Sequence, residues 1–366
     1  MIAYAFVALM VVTQMDQTYQ VQKGTKLDVN NFAGEVAVKT WDKDAVRVQV
    51  NHSEREQIDV KQGDQLLTIR SRSLRGAPQR SLDYIITVPG WMAINVAGTY
   101  TDVTMEGVGG DVTVDATRGD IKVVGGSGIV TLKSVQGEVT LEKAKGHIEV
   151  RALNESIRLS DLSGDLSAET TNGSIILDRI DSGNVDLYTV NGNISYDGQI
   201  KDKGVYRLTT HNGLVAMTVP EKANATLIVR TYNGGFKSTF PVKLEDQNPR
   251  KRFTLTLGNG SARVELESFG GTIALRRPGE ARPETERRRR QMGHARDWFG
   301  DSIEHAAGSA IAATVQHAVE HAVAGTVETT IEQTVEHAIN EAFSAAFGPW
   351  PRATPKPDPR PTPRPR

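Results

Sequence analysis

The sequence predicts an all-β protein, an elongated β-solenoid of short strand-turn units, followed by an α-helical segment and a disordered tail. Glycine recurs every nine residues from Gly110 to Gly146 and returns at Gly164 and Gly173, with Glu155 in one expected glycine position. Apolar residues stand two and four places after each of these positions, and most residues between them are polar. Such alternation bounded by glycine is typical of half-buried strands, and its repetition indicates a stacked array.

The two apolar positions of each unit predict the core. Successive side chains of a strand point to opposite faces, so one set is expected to face inward. The first inward position is held by Val112, Ile121, Val130, Val139, Ile148, Ile157, Leu166, Ile175, Val185 and Ile194, and the second by Val114, Val123, Leu132, Leu141, Val150, Leu159, Ala168, Leu177, Leu187 and Tyr196.

Asn-Gly pairs mark longer units towards the end of the array. They recur at intervals of 19, 21 and 21 residues, and we expect a positive φ at each turn. Two strands per coil explain both periods, with 18–21 residues per coil and each strand paired with the one above. A later pair, Asn259-Gly260, follows a charged loop at 244–251. The pairs and their preceding threonines are Asn172-Gly173 with Thr171, Asn191-Gly192 with Thr189, Asn212-Gly213 with Thr210, and Asn233-Gly234 with Thr231.

The stretch before the array also has strand patterns. Ile58 and Val60 are expected to pair with Leu66–Ile69 across Gln62-Gly63-Asp64, as a hairpin. Tyr84–Val88 forms a strand that Pro89 ends.

The sequence resembles a bacterial family of putative adhesins, within the wider group called toastrack domains. The resemblance rests on the strand ending in Val88-Pro89, on Val103, on Gly107–Val112 and on the Gly-Asp-Ile and Asn-Gly-x-Ile repeats. It covers about residues 18–276, which we therefore take as one β-repeat domain. It implies an extended β-repeat fold, an extracytoplasmic or membrane-linked location and no catalytic residues to transfer.

Composition narrows the classes of partner. The 366 residues carry a formal net charge of −1, whereas nucleic-acid binders usually show a basic face, so we expect no nucleic-acid partner. The absence of cysteine excludes disulfides, a thiol nucleophile and a Cys-ligated metal, and fits either redox compartment.

The N-terminal residues 1–14 are predicted to be a signal peptide. The apolar run from Ile2 to Val12 is shorter than the roughly 20 residues that a membrane span requires, so no transmembrane span is expected. No Lys or Arg precedes the run, and a buried first strand is the alternative. Export predicts a periplasmic, surface or secreted protein; without it the protein is cytoplasmic.

Three segments follow the β domain: an Arg-rich linker at 277–300, an Ala-rich helical segment at 301–347 and a Pro/Arg tail at 348–366. In the second segment an apolar or alanine residue recurs at every fourth position from Ile303 to Phe347. We expect self-association or a protein partner there. The tail is expected to be disordered, and its positive charge suits an anionic polymer.

Two metal-site motifs are weighed against plainer interpretations. His317, Glu320 and His321 match the inverted zinc-peptidase pattern. Glu-His-Ala also recurs at Glu304-His305-Ala306 and Glu336-His337-Ala338 without the paired histidine, which favours a repeat on a polar face. Gly110-Asp111, Gly119-Asp120 and Gly164-Asp165 have the spacing of calcium-binding repeats but lack the other turn ligands. We therefore expect no metal, no cofactor and no catalytic residues.

The functional prediction is a non-catalytic, envelope-associated binding or scaffold protein. A carbohydrate-active β-helix enzyme is one alternative, since such folds can carry acids on one face. The outward positions Thr113 to Ile176 are mixed in chemistry, and aromatic residues make up only 6% of the chain, so no sugar-stacking platform is predicted. A cytoplasmic regulatory partner is the third hypothesis.

Overall fold

The computed structural model describes residues 12–53, 56–73, 80–243 and 252–280, and in these ranges the only helices or strands are β-strands. The first strands, up to the start of the regular array, are β1 (Val12–Gln20), β2 (Lys26–Trp41), β3 (Ala45–Ser53), β4 (Glu56–Gln62), β5 (Leu66–Ser73), β6 (Tyr84–Pro89) and β7 (Ala93–Val108). The strands of the regular array are β8 (Val112–Arg118), β9 (Ile121–Gly125), β10 (Ser127–Gln136), β11 (Val139–Glu142), β12 (Lys145–Ala152), β13 (Ile157–Ser160), β14 (Ser163–Thr170), β15 (Ile175–Asn191), β16 (Ile194–Gly198), β17 (Val205–Asn212) and β18 (Val215–Thr218). The last strands are β19 (Ala225–Thr231), β20 (Phe236–Ser238), β21 (Arg252–Leu257), β22 (Ala262–Ser268) and β23 (Ile273–Arg276).

The strands of the array form two columns of parallel pairs, as the nine-residue unit predicts. One column runs through β8, β10, β12 and β14, and the other through β9, β11 and β13. Val130 pairs with Val112 and Val139 with Ile121, so paired residues are 18 positions apart. One coil therefore contains one strand of each column. β2, β7 and β15 are long enough to bend from one column into the other. The β-solenoid prediction is confirmed for the part of the chain that the structure describes.

The order of the coils departs from chain order at both ends. At the C-terminal end β22 pairs with β17 on one side and β19 on the other, and β23 lies between β18 and β20 in the same way. The coil of β22 and β23 comes last in the sequence, but in the stack it lies between the coil of β17 and β18 and the coil of β19 and β20. At the N-terminal end β2 lies between β7 and the pair β5 and β6. Each strand still pairs in parallel with the one above it, but at these ends the order of the stack differs from the order of the sequence.

Antiparallel strands cover both ends of the stack. β4 pairs with β5, β3 with β6 and β1 with β3, while β21 pairs with β19. The predicted hairpin is confirmed, with Val60 opposite Ile69. Since an open parallel edge is a template for aggregation, these strands act as caps of the solenoid.

The core lies between the two columns and contains the predicted inward residues. All twenty predicted side chains are at most 4% exposed, and they form one continuous apolar cluster. Large side chains such as Tyr196, Tyr206 and Phe253 fill it towards the C-terminal end. Strict period-2 alternation is thus sufficient to place the core.

The glycines of the turns permit a close main-chain approach between coils. A Cβ atom on Gly192 would lie 1.8 Å from the carbonyl oxygen of Gly173, and one on Gly213 would lie 1.9 Å from that of Gly192. Neither glycine adopts the left-handed φ expected from the Asn-Gly signal, and nor do Gly173 and Gly234. Gly260 does adopt a positive φ of 72°, so the prediction is confirmed at Asn259-Gly260 and wrong about φ at the other four pairs. At those four turns glycine is required for a different reason. The reason is space, because no side chain fits between the stacked turns.

The predicted segments outside the repeat domain are largely undescribed. The segments at 301–347 and 348–366 and most of the linker at 277–300 lie outside the described residues. Strand β1 begins at Val12, so the last three residues of the predicted signal peptide 1–14 pair with β3. No helix with the length and apolarity of a membrane span occurs among the residues that the structure describes.

Replacing Gly192 by alanine should destabilise the fold strongly. The added Cβ would overlap the Gly173 carbonyl, so the stack must separate locally, at a cost of about 2–4 kcal/mol in the free energy of unfolding. Gly183→Ala is the matched control, because the nearest atom to its Cβ is 3.8 Å away. Urea denaturation followed by far-UV circular dichroism measures both variants. Equal stability of the two would contradict the proposed role of the close approach.

Candidate functional site

The turns that join the first column to the second form a continuous surface, here called the corner ridge. Its middle part carries stacked asparagine side chains. Asn172 Nδ2 donates to Asn154 Oδ1 at 3.0 Å, Asn191 to Asn172 at 2.9 Å and Asn212 to Asn191 at 3.0 Å. We call these four residues the amide ladder. Stacked amides stabilise repeated strands, and each of the three donating amides has a second N–H that makes no hydrogen bond to a described residue.

Buried hydroxyl groups lie beneath the ladder and tie each coil to its neighbour. Thr189 Oγ1 donates to the carbonyl of Gly173 at 2.9 Å and Thr210 Oγ1 to that of Gly192 at 2.8 Å. Thr170, and not the predicted Thr171, holds the equivalent position, since it pairs with Thr189. The hydroxyl groups hold the ridge rigid and are not accessible to a ligand.

Two of the three Gly-Asp pairs considered as calcium ligands have a structural role. Asp120 Oδ1 accepts the main-chain N–H of Glu138 at 2.7 Å, and Asp111 Oδ1 accepts that of Ile129 at 2.9 Å. Each carboxylate therefore binds the main chain of the next coil, 18 residues later. Asp165 is an exposed strand residue.

Three aromatic side chains stack at the C-terminal end of the corner ridge. The rings of His211 and Phe269 are 4.7 Å apart and 4° from parallel, and the ring of Tyr232 lies 5.2 Å from that of Phe269. Phe269 is 41% exposed and Tyr232 50%. We call these residues the aromatic shelf. The low aromatic content predicts no sugar-stacking platform, and that prediction stays untested, although coil stacking brings these three rings together.

The outer face of the first column, here called the charged face, carries paired acids and arginines. Arg207 lies 3.5 Å from both Asp186 and Glu265, and Arg230 lies 3.4 Å from Glu267. A shallow depression of about 270 Å³ separates Arg207 from Arg230. Sequence reasoning considered only one outward position per unit, so it missed the second, which holds Glu169 and Tyr188.

Two carboxyl groups of the charged face have perturbed acidity. Burial raises the pKa of Glu169, which Arg151 partly opposes, and the charges of Asp186 and Glu149 raise it further. Burial likewise raises the pKa of Asp186, against the effect of Arg207. The pKa of Glu265 is instead lowered, chiefly by its hydrogen bond with Arg263. Perturbed acids occur both in active sites and in structural ion-pair networks.

No group of three or more metal-binding side chains occurs within residues 12–53, 56–73, 80–243 and 252–280. The zinc-peptidase motif at His317, Glu320 and His321 lies outside these ranges. The expected absence of a metal and of a cofactor therefore remains a prediction.

Comparison with known proteins places the β domain in a described family. The family profile described as Toastrack DUF4097 matches residues 24–276. No curated protein matches the chain.

Several crystal structures are similar to this chain at low identity. One is a putative adhesin from Parabacteroides merdae, with 9% identity, a TM-score of 0.37, and coverage of 72% of this chain and 95% of that one. A putative adhesin from Parabacteroides distasonis has 12% identity, a TM-score of 0.35, and coverage of 72% and 97%. A putative cell adhesion protein from Clostridium sporogenes has 9% identity, a TM-score of 0.21, and coverage of 73% and 100%. No functional residue is transferred from them.

Replacing Asn191 by leucine should weaken the stack. Asn191 makes ladder bonds on both sides, so its loss leaves two neighbouring amides short of a partner and costs about 1–2 kcal/mol in the free energy of unfolding. Asn233→Leu is the control, because no described residue hydrogen-bonds the Asn233 side chain. Urea denaturation compares the two, and an equal loss in both would show that the ladder adds no stability.

Glu169→Gln should stabilise the protein at neutral pH and have no effect in acid. A raised pKa means that the fold favours the protonated form, so the folded state loses stability as pH rises above about 4.3 and the group ionises. Glutamine mimics the protonated form and avoids this loss. Glu265→Gln should show the opposite sign, because the pKa of Glu265 is lowered. Melting temperatures from pH 4 to pH 8 test both, and parallel profiles for wild type and Glu169→Gln would contradict the assignment.

Proposed function

This chain belongs to the Toastrack DUF4097 family, and on that premise we propose that it is a non-catalytic binding or scaffold protein of the cell envelope, similar in role to an adhesin. The proposed binding surface is the corner ridge. One observation carries this proposal: the C-terminal part of the ridge presents uncharged amides beside aromatic rings, which are 41–50% exposed at Phe269 and Tyr232. Exposed aromatic groups beside hydrogen-bonding groups are typical of recognition surfaces.

The chemistry of the charged face supports a non-catalytic role. Its acids lie against arginines, as Asp186 does against Arg207 and Glu267 against Arg230, so their charges are largely compensated within the protein. The competing hypothesis is a carbohydrate-active enzyme that uses Glu169 and Asp186, whose pKa values are raised. A raised pKa suits a general acid, and the experiment below therefore measures bond cleavage as well as binding.

The location and the accessory segments are also part of the proposal. The apolar run within residues 1–14 supports export, and the family resemblance supports a site outside the cytoplasm. Residues 301–347 are proposed as a self-association or partner-docking segment on the basis of their four-residue apolar repeat. The basic tail at 348–366 is proposed to contact an anionic polymer.

The test uses the full chain and a panel of insoluble envelope polysaccharides and immobilised surface proteins. We expect retention by at least one of them, without release of reducing ends. The double variant Phe269→Ala/Tyr232→Ala should lower retention at least tenfold, because it removes the exposed rings. Ile129→Ala is the matched control, since Ile129 is 55% exposed but lies off the ridge.

Two outcomes would contradict the proposal. Release of reducing ends that Glu169→Gln abolishes would make the protein an enzyme. Retention that the double variant leaves unchanged would remove the corner ridge from the binding role. Melting temperatures of the variants establish that each remains folded.

A further inference from the structure

The amide ladder stops one coil short of another asparagine. Asn212 is its last member, and the next coil in the stack has Gly270 at the ladder position. The coil beyond it has Asn233 there, because Thr231 pairs with Ser268. We call the gap at Gly270, between Asn212 and Asn233, the amide notch.

The notch is the size of one amide group. Strands in a sheet are about 4.8 Å apart, so the ladder positions of residues 212 and 233 are about 9.5 Å apart, with one amide missing. Gly270 has no side chain, and a Cβ added to it would lie 2.9 Å from Asn212 Oδ1, so the Asn212 amide oxygen lies at the edge of the notch, over the Gly270 main chain. Both flanking residues and Gly270 itself are exposed to solvent.

The notch has an unused acceptor on one side and an unused amide on the other. Asn212 Nδ2 donates to Asn191, but no donor from the described residues reaches Asn212 Oδ1. The Asn233 side chain likewise makes no hydrogen bond to any described residue. Every ladder bond has its N–H on the later coil and its acceptor on the earlier one. A group that completes the ladder must therefore donate to Asn212 and accept from Asn233.

The aromatic shelf borders the notch. Phe269 immediately precedes Gly270, and Tyr232 immediately precedes Asn233, so each ring lies in the same turn as part of the notch. A ligand held in the notch therefore meets an apolar surface beside a polar one. Pyranose sugars present this combination, since they have C–H groups on one face and hydroxyl groups around the edge.

A trans secondary amide has the required donor and acceptor on opposite sides. We propose that the amide notch binds the acetamido group of an N-acetylhexosamine, with the sugar ring against Phe269 and Tyr232. The free N–H groups of the ladder then bind hydroxyl groups of neighbouring sugars in the same glycan chain. A peptide would offer the same amide, but it lacks the hydroxyl groups that the rest of the ladder can bind. This inference deepens the proposed binding function and rests on it.

The first experiment titrates the full chain with tetra-N-acetylchitotetraose by isothermal titration calorimetry. Cellotetraose has the same linkage without the acetamido groups, and deacetylated chitotetraose has free amines in their place. We expect the acetylated tetramer to bind at least tenfold more tightly than either, because two hydrogen bonds to the notch are worth about a factor of ten or more. Equal affinities, or no binding of the acetylated tetramer at millimolar concentration, would overturn the proposal.

The second experiment fills the notch. Gly270→Asn supplies the missing ladder amide, and Gly270 does not adopt a left-handed φ, so the substitution is compatible with the main chain once the Asn212 side chain shifts. We expect the acetylated tetramer to bind at least tenfold more weakly, with a melting temperature no more than slightly changed. Unchanged affinity in Gly270→Asn would overturn the proposal.

Asn233→Leu is a second variant that tests the notch if Gly270→Asn does not fold. It removes the donor of the notch and breaks no hydrogen bond to a described residue, so it should weaken binding of the acetylated tetramer to a similar extent. Ile129→Ala should bind as wild type does. If both notch variants leave the tetramer affinity unchanged while the corner ridge still retains other polymers, that result would overturn the proposal for the notch but not the broader binding function.

Discussion

The structure depends on a main-chain contact that recurs at the glycine turns of the corner ridge, with Glu155 in the one turn that departs from the pattern. Each turn lies so close to the one before it that a Cβ atom would overlap a carbonyl oxygen, as at Gly137 above Gly119 and Gly192 above Gly173. This contact sets the separation of the coils at the corner. The 2.9–3.0 Å ladder bonds, the hydroxyl bonds of Thr189 and Thr210, and the 4.7 Å separation of the His211 and Phe269 rings are all compatible with that one separation.

The same contact explains how the ridge and the charged face come to differ in chemistry. Many strand residues on the charged face are charged, and they compensate one another across coils, as Arg207 does with Asp186 and Glu265. Turn residues in the C-terminal part of the ridge have short or planar side chains that stack, as Asn191, Asn212 and Phe269 do. Uncharged stacked groups keep donors and ring surfaces accessible, whereas paired charges use theirs within the protein. Recognition is therefore better suited to the ridge than to the charged face.

Local periodicity was sufficient to predict the strands and the core, because the alternation within each unit indicates which side chains face inward. Val112, Ile121 and their equivalents are all buried, and the hairpin at Gln62-Gly63-Asp64 is present. The order in which the coils stack at the two ends could not be predicted from local periodicity. Strand β17 accepts β22 as its neighbour, but β19 has the same alternation and the same following turn, so pattern alone does not distinguish them. The choice depends on long-range packing.

The candidate site was not predictable for the same reason. Tyr232, Phe269 and His211 are far apart in the chain, and Phe269 comes between the other two only because the last coil is inserted before its predecessor. The gap at Gly270 depends on the same insertion. The Asn-Gly pairs did indicate the ladder positions. We interpreted them only as turn signals, however, and therefore did not predict that their amides stack.

The inserted coil has a consequence for how the chain reaches this state. β17 and β19 are close in sequence, yet they are not neighbours. The space between them is occupied by β22, whose Arg263 lies opposite Val205, 58 positions earlier in the chain. A nascent chain that paired β17 directly with β19 would have to separate them again to admit the last coil. Assembly from one end, which simple repeat proteins allow, is therefore blocked here, and the C-terminal coils must close together as one cooperative unit.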